Sequence, residues 1–131
     1  MGVDIVLFKP SPEFDDIDLV NCKTIKGSWY SPSLISDRDY SAKCSISSLA
    51  FLDSRGSYFE INENITGIAE GHSNVFLYDP FTALCSGGKC DFRKNGYPLY
   101  IDAHHYSDYS STTVLKESLV NYLSESVIAN R

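Results

Sequence analysis

The chain has no long hydrophobic run: no uninterrupted apolar stretch exceeds the four residues of Ile5–Phe8. A membrane-spanning helix needs about 20 such residues, so none is expected within this sequence. No basic segment followed by an apolar stretch stands at the N-terminus, so no signal peptide is expected there. Positive charge is also scarce. Eleven basic against seventeen acidic residues leave a net charge of −6, which argues against nucleic acid or an anionic membrane as partner. Internal repeats and low-complexity blocks are missing. What is plentiful is aromatic surface: seven Phe, nine Tyr and one Trp need a core to bury them and exclude a disordered chain. With 131 residues, 43% of them apolar, these figures describe one small, acidic, soluble domain of α/β or α+β type.

Cysteine is sparse but even in number. Cys22, Cys44, Cys85 and Cys90 favour two disulfides. Zinc is the rival, yet no pair has the two-residue spacing of a zinc knuckle. Cys85-Ser-Gly-Gly-Lys-Cys90 has turn chemistry suited to closing a small loop on itself. Cys85–Cys90 and Cys22–Cys44 are the favoured pairings. By loop-closure entropy they would stabilise the fold by roughly 2 and 3 kcal/mol. Disulfides imply an oxidising compartment, to which something upstream of this chain must deliver it.

The remaining pattern alternates strands and helices. Val3–Phe8 reads as a buried strand stopped by Lys9-Pro10-Ser11-Pro12. Residues 13–36 read as a long excursion pinned by Cys22. From about Ser47, apolar positions at three- to four-residue spacing (Phe51, Leu52, Tyr58, Phe59, Ile65, Ile68, Ala69) predict a helix stopped by Gly71. Gly56 weakens that helix, and Ser57 with Glu60 could start a separate one. Val75–Tyr78 reads as a second buried strand ending at Asp79-Pro80. An apolar turn (Phe81, Ala83, Leu84) and an extended segment over residues 97–101 follow. Ser110 or Ser111 is expected to cap a last helix with Leu115, Leu119, Tyr122, Leu123 and Val127 on its apolar face. This order predicts a parallel sheet with helices on its faces, although two or three strands make a poor sheet of that kind.

Chemistry concentrates at Asp102-Ala103-His104-His105. A carboxylate three residues before a histidine can hold the imidazole's Nδ1–H and leave Nε2 free as a general base. The plainer alternative is a capping Asp and two surface histidines. A metal site from Asp102, His104 and His105 is disfavoured, because adjacent histidines rarely point at one ion. Elsewhere, Trp29-Tyr30 could stack on a sugar but reads more simply as a loop aromatic. Asp15, Asp16 and Asp18 lack the glycine and glutamate of a calcium loop. Asn64-Ile65-Thr66 is a chance glycosylation sequon, and His72 is a partner for a helix end. No metal and no cofactor is expected.

The stretch from Val75 to Ser111 resembles the C-terminal end of the SGNH (GDSL-type) domains fused to bacterial membrane acyltransferases of the acyltransferase 3 family. The residues carrying the likeness are Val75–Tyr78, Asp79-Pro80, the Cys85–Cys90 loop, Leu99-Tyr100, Asp102, His105 and Ser107. Upstream, Lys9-Pro10-Ser11-Pro12-Glu13-Phe14 is similar to the family's strand exit, and Cys22, Cys44-Ser45-Ile46 and Arg55 to its second cysteine pair and following helix. Tyr106 departs from the usual leucine, and Ser110-Ser111 from a usual glycine.

The resemblance implies a partial three-layer, flavodoxin-like α/β fold, a parallel sheet with helices on its faces and two disulfide-pinned loops. It implies a triad in which a serine attacks an acyl donor, His105 removes its proton and Asp102 orients His105. The family's serine lies in Gly-Asp-Ser, and its oxyanion donors are a glycine and the asparagine of Gly-x-Asn-Asp; none occurs here. Gly27-Ser28 and Gly56-Ser57 read as loop residues. Residues 1–131 are therefore expected to form one partial domain, the C-terminal half of an SGNH domain, inactive alone. Its partners are expected to be an acyl donor delivered by a membrane acyltransferase domain and a surface-glycan acceptor. The expected location is the bacterial periplasm or the periplasmic face of the inner membrane, with tethering through a missing N-terminal region. The alternatives are a carbohydrate esterase and a non-catalytic, disulfide-stapled periplasmic binding module.

Overall fold

The computed structural model describes residues 3–14, 22, 44–48 and 56–128. In chain order the elements are β1 (Ile5–Phe8), β2 (Ser45–Ser47), α1 (Gly56–Glu70), β3 (Val75–Tyr78) and α2 (Phe81–Leu84). Four short strands follow: β4 (Cys85–Ser86), β5 (Lys89–Asp91), β6 (Arg93–Lys94) and β7 (Tyr97–Pro98). In the last helix, α3 (Lys116–Tyr122) is flanked by π-helical turns over Ser110–Leu115 and Leu123–Ile128.

The two apolar runs find each other. β1 and β3 pair in parallel, with Ile5 opposite Val75 and Phe8 opposite Tyr78. Parallel strands need a long crossover, and α1 lies within it and packs against β3. Tyr58, Asn62, Ile65, Thr66 and Ala69 are the more buried positions of α1, at helical spacing. Phe59 and Ile68, expected on that face, point outward. The helix ends where Gly71 and His72 donate back to Gly67 O and Ala69 O.

One expectation fails in degree. The run Val3–Phe8 reads from sequence as a buried strand, yet Val3 is 74%, Ile5 46% and Phe8 54% exposed. A pair of parallel strands cannot cover both of its own faces, so half of the apolar run stays open. The chain has an α/β fold with a small parallel pair.

The rest of the sheet structure is antiparallel. β5 is central to a three-stranded patch with β2 and β4 at its sides. Gly87 and Gly88 take positive φ (56° and 78°) at its hairpin, as a two-residue primed turn requires. Asn95 and Gly96 do the same (53° and 83°) between β6 and β7. Residues 97–101 thus supply a hairpin strand, not a third parallel one.

The core sits between this patch and the last helix. Phe14, Phe92, Leu99, Tyr100, Leu84 and Val114 are buried there with Cys22, Cys44 and Cys90. Cys85 and Cys90 are bonded across directly opposed positions of β4 and β5, with Cα atoms 4.0 Å apart. Cys22 is bonded to Cys44, Cα–Cα 5.5 Å. The oxidised chain is therefore expected to weigh about 4 Da less than its reduced form by intact mass spectrometry, two hydrogens per bond. Free thiols that alkylate in oxidised, folded protein would contradict the pairing.

Candidate functional site

The site is the tip of an excursion built by residues 97–109. Its two limbs are joined by successive rungs. Tyr97 and Tyr109 stack with ring centroids 4.7 Å apart. Ser107 donates its hydroxyl to Pro98 O (2.6 Å) and its N–H to Leu99 O (2.9 Å). Tyr100 bridges Tyr106, and Ile101 N–H donates to His105 O (2.9 Å). Beyond that last rung only residues 102–104 remain, so the chain must turn there.

Two attachments fix the tip against the exit of β1. Phe14 N–H donates to Ala103 O (2.9 Å), and the buried Tyr100 hydroxyl donates to Pro12 O (2.9 Å). Burial first, then the neighbouring Tyr106, pushes the Tyr100 phenol far above its ordinary value. It therefore stays a neutral donor throughout the physiological range.

Within the turn, Asp102 Oδ1 accepts the N–H groups of His104 (2.9 Å) and His105 (2.8 Å). The same carboxylate meets His105 Nδ1 at 3.0 Å through Oδ1 and 2.8 Å through Oδ2. With Nδ1–H donating to the carboxylate, Nε2 is the ring nitrogen left to accept a proton. The His105 side chain is 74% exposed and that of Asp102 46%, so the imidazole is open to a reactant. Among the described residues no hydroxyl lies within hydrogen-bond distance of the His105 ring.

The backbone N–H of His104, then that of His105, then the imidazole hold the Asp102 carboxyl well below the usual carboxylate range. A folded-state value below the unfolded one contributes stability that is complete above the unfolded pKa. That contribution is lost only as pH falls through the lower, folded value. Carbon-detected NMR is expected to show Asp102 still ionised at a pH of about 3, where ordinary carboxylates are mostly protonated. A midpoint near about 4 would mean the clasp does not persist in solution.

His104 does not join this pair. Its Nδ1 lies 3.7 Å from Glu13 Oε2, a third link between the β1 exit and the turn. Sequence reasoning missed that link, because nothing local relates residues 13 and 104. Among the described residues no group of three or more His, Cys, Asp or Glu side chains is placed to hold a metal ion. Asp15, Asp16, Asp18, Gly27-Ser28, Trp29-Tyr30 and Arg55 lie outside the described residues. Gly56-Ser57 falls in the first turn of α1, Asn64 is exposed on that helix, and His72 is exposed just beyond it. The cap of the last helix is a correction: Ser110 N–H donates to Ser107 Oγ (3.1 Å). Ser107 takes this role because its own N–H and hydroxyl already pin it beside Leu99 and Pro98, where the helix must start.

A family model described as "SGNH domain (fused to AT3 domains)" matches residues 1–117. No curated protein and no solved structure matches the chain.

Proposed function

We propose, because the chain belongs to the family of SGNH domains fused to AT3 domains, that Asp102 and His105 are the orienting acid and the general base of an acyl-transfer triad. Membership supports an acyltransferase-associated, SGNH hydrolase-like role, and with the two disulfides it is consistent with an extracytoplasmic location. The observation that carries the residue assignment is the clasp of His105 Nδ1 by the Asp102 carboxylate at 2.8 Å.

The chemistry runs in two steps. A serine oxygen attacks the acyl carbonyl of the donor while His105 Nε2 takes the serine's proton. The imidazolium then returns that proton to the departing donor group, leaving an acyl-serine. In the second step a glycan hydroxyl attacks the acyl-serine, His105 takes the hydroxyl's proton, and the regenerated serine recovers it. An acetyl group is the acyl group we assign, and the periplasmic side of a bacterial inner membrane the location.

No Gly-Asp-Ser and no Gly-x-Asn-Asp occurs in the sequence, and no described serine reaches His105. In this reading the nucleophile and oxyanion donors are supplied from outside these 131 residues, which we assign as the C-terminal half of the domain. The experiment is acyl transfer to glycan by the complete AT3-fused protein, wild type against His105→Ala. Loss of transfer is expected; transfer that survives the substitution would overturn the assignment.

A further inference from the structure

The last helix carries a polar stripe that hydrogen bonds among the described residues leave unused. Thr113, Glu117, Asn121 and Glu125 recur at every fourth position, the spacing that aligns side chains on one helix face. Among the described residues none of these four side chains has a hydrogen-bond or ion-pair partner. An isolated stripe of this kind is an ordinary solvated face. This one instead forms a wall of an open cleft of about 630 Å³. Thr82, Lys94, Asn95 and Tyr109 line the cleft too.

The chemistry of the walls narrows the ligand. Two carboxylates face one ammonium, and Lys94 Nζ already donates to Ala83 O at 3.0 Å. That balance disfavours phosphate, sulfate or carboxylate ligands. The unspent groups are carboxylate acceptors, an amide with both donor and acceptor, and hydroxyls, the set that adjacent sugar hydroxyls satisfy. Tyr109 adds an aromatic ring held in place by stacking on Tyr97, and its hydroxyl accepts from Asn95 Nδ2 at 3.2 Å. A fixed aromatic beside convergent polar groups suits a ring with one apolar face and a hydroxylated rim.

We propose that this cleft binds a neutral saccharide. It lies at the base of the 97–109 excursion whose tip carries Asp102 and His105. Tyr97 and Asp102 are five positions apart in the sequence, a chain reach of at most roughly 17 Å. The cleft is thus a second foothold, a few sugar rings from the base, for the distal part of the acceptor glycan. That last assignment rests on the acyl-transfer reading; the binding itself does not.

The test is an NMR titration of the full chain with cellotriose and maltotriose, with glucose 6-phosphate as the charged control. Saturable shifts are expected at Asn95, Tyr109 and residues 113–121, with a Kd on the order of 1 mM for at least one trisaccharide and none for the phosphate. Glu117→Ala and Asn121→Ala, at exposed positions that leave the fold intact, are each expected to weaken binding about tenfold. Asp102→Asn is expected to leave it unchanged. No saturation by either trisaccharide at about 20 mM, shifts confined to residues 101–105, or binding indifferent to both helix substitutions would overturn the proposal. Because the readout is binding, failure here leaves acyl transfer standing, and transfer that survives His105→Ala with saccharide binding intact would fault only the Asp102–His105 assignment.

Discussion

His105→Ala in the complete AT3-fused protein is expected to lower acyl transfer by about 10³–10⁴-fold while leaving the domain folded. General base catalysis by a positioned imidazole is worth about 10²–10⁴-fold, and here the same ring would serve in both acylation and deacylation. Folding should be indifferent, since the side chain is 74% exposed and contributes no core surface. Asp102→Asn separates two roles of one carboxylate. The amide oxygen can still accept the N–H groups of His104 and His105, so the turn should hold. The amide cannot both do that and accept Nδ1–H as a charged group, so the imidazole loses its fixed tautomer and the stabilisation of its cation. A fall of about 10²–10⁴-fold in kcat with little change in KM is therefore expected. Asp102→Ala should lose a similar factor and also loosen the turn, visible as faster amide exchange at residues 104 and 105. Transfer by His105→Ala within tenfold of wild type would remove His105 from the mechanism.

The sequence made some of this legible and hid the rest for physical reasons. β1 and β3 are readable because apolar four-residue runs are bracketed by prolines and asparagine, and Gly71 marks the end of α1. The disulfides were readable from spacing and turn chemistry. The β2–β5–β4 patch was not: its strands are two or three residues long and mostly polar, so no periodicity betrays them. They exist because a bridged hairpin and the Cys44 O to Phe92 N–H bond (2.8 Å) hold them. Asn95-Gly96, by contrast, is a hairpin signal in the sequence itself, and it makes the β6–β7 turn. The helix cap fell on Ser107 and not on Ser110 or Ser111, since long-range rungs, absent from local sequence, decide where the chain turns. Likewise, Asp-x-x-His spacing alone cannot separate a surface turn from a clasp. The Tyr100–Tyr106 bridge and the attachments to Pro12 and Phe14 make that choice.

Those attachments also make Phe14 the most consequential core position for the site. Its ring is wholly buried and wedged edge-on between Phe92 (5.4 Å, 89°) and Tyr100 (4.8 Å, 61°). Phe→Ala in a packed core costs about 3–5 kcal/mol in lost transfer energy and unfilled cavity, and edge-to-face pairs add about 0.5–1.5 kcal/mol each. The upper part of that range applies, because Phe92 is held by backbone hydrogen bonds to Cys44 and Leu99, and Tyr100 by its bridge to Tyr106 and its hydroxyl bond to Pro12, so neither can collapse inward. Against a total stability of about 5–15 kcal/mol, Phe14→Ala is expected to lower Tm by about 10–20 °C. Phe14→Leu, which refills most of the space but loses both edge-to-face pairs, should cost about 1–3 kcal/mol, less than the alanine variant. Phe59→Ala serves as the control: that ring is 57% exposed on α1 and should shift Tm by no more than about 3 °C. The damage should also travel to the turn, since Phe14 N–H holds Ala103 O. Below its own Tm the alanine variant is expected to exchange the His105 amide faster than wild type. Phe14→Ala melting within about 3 °C of wild type, with His105 equally protected, would mean that the aromatic wedge does not anchor the site.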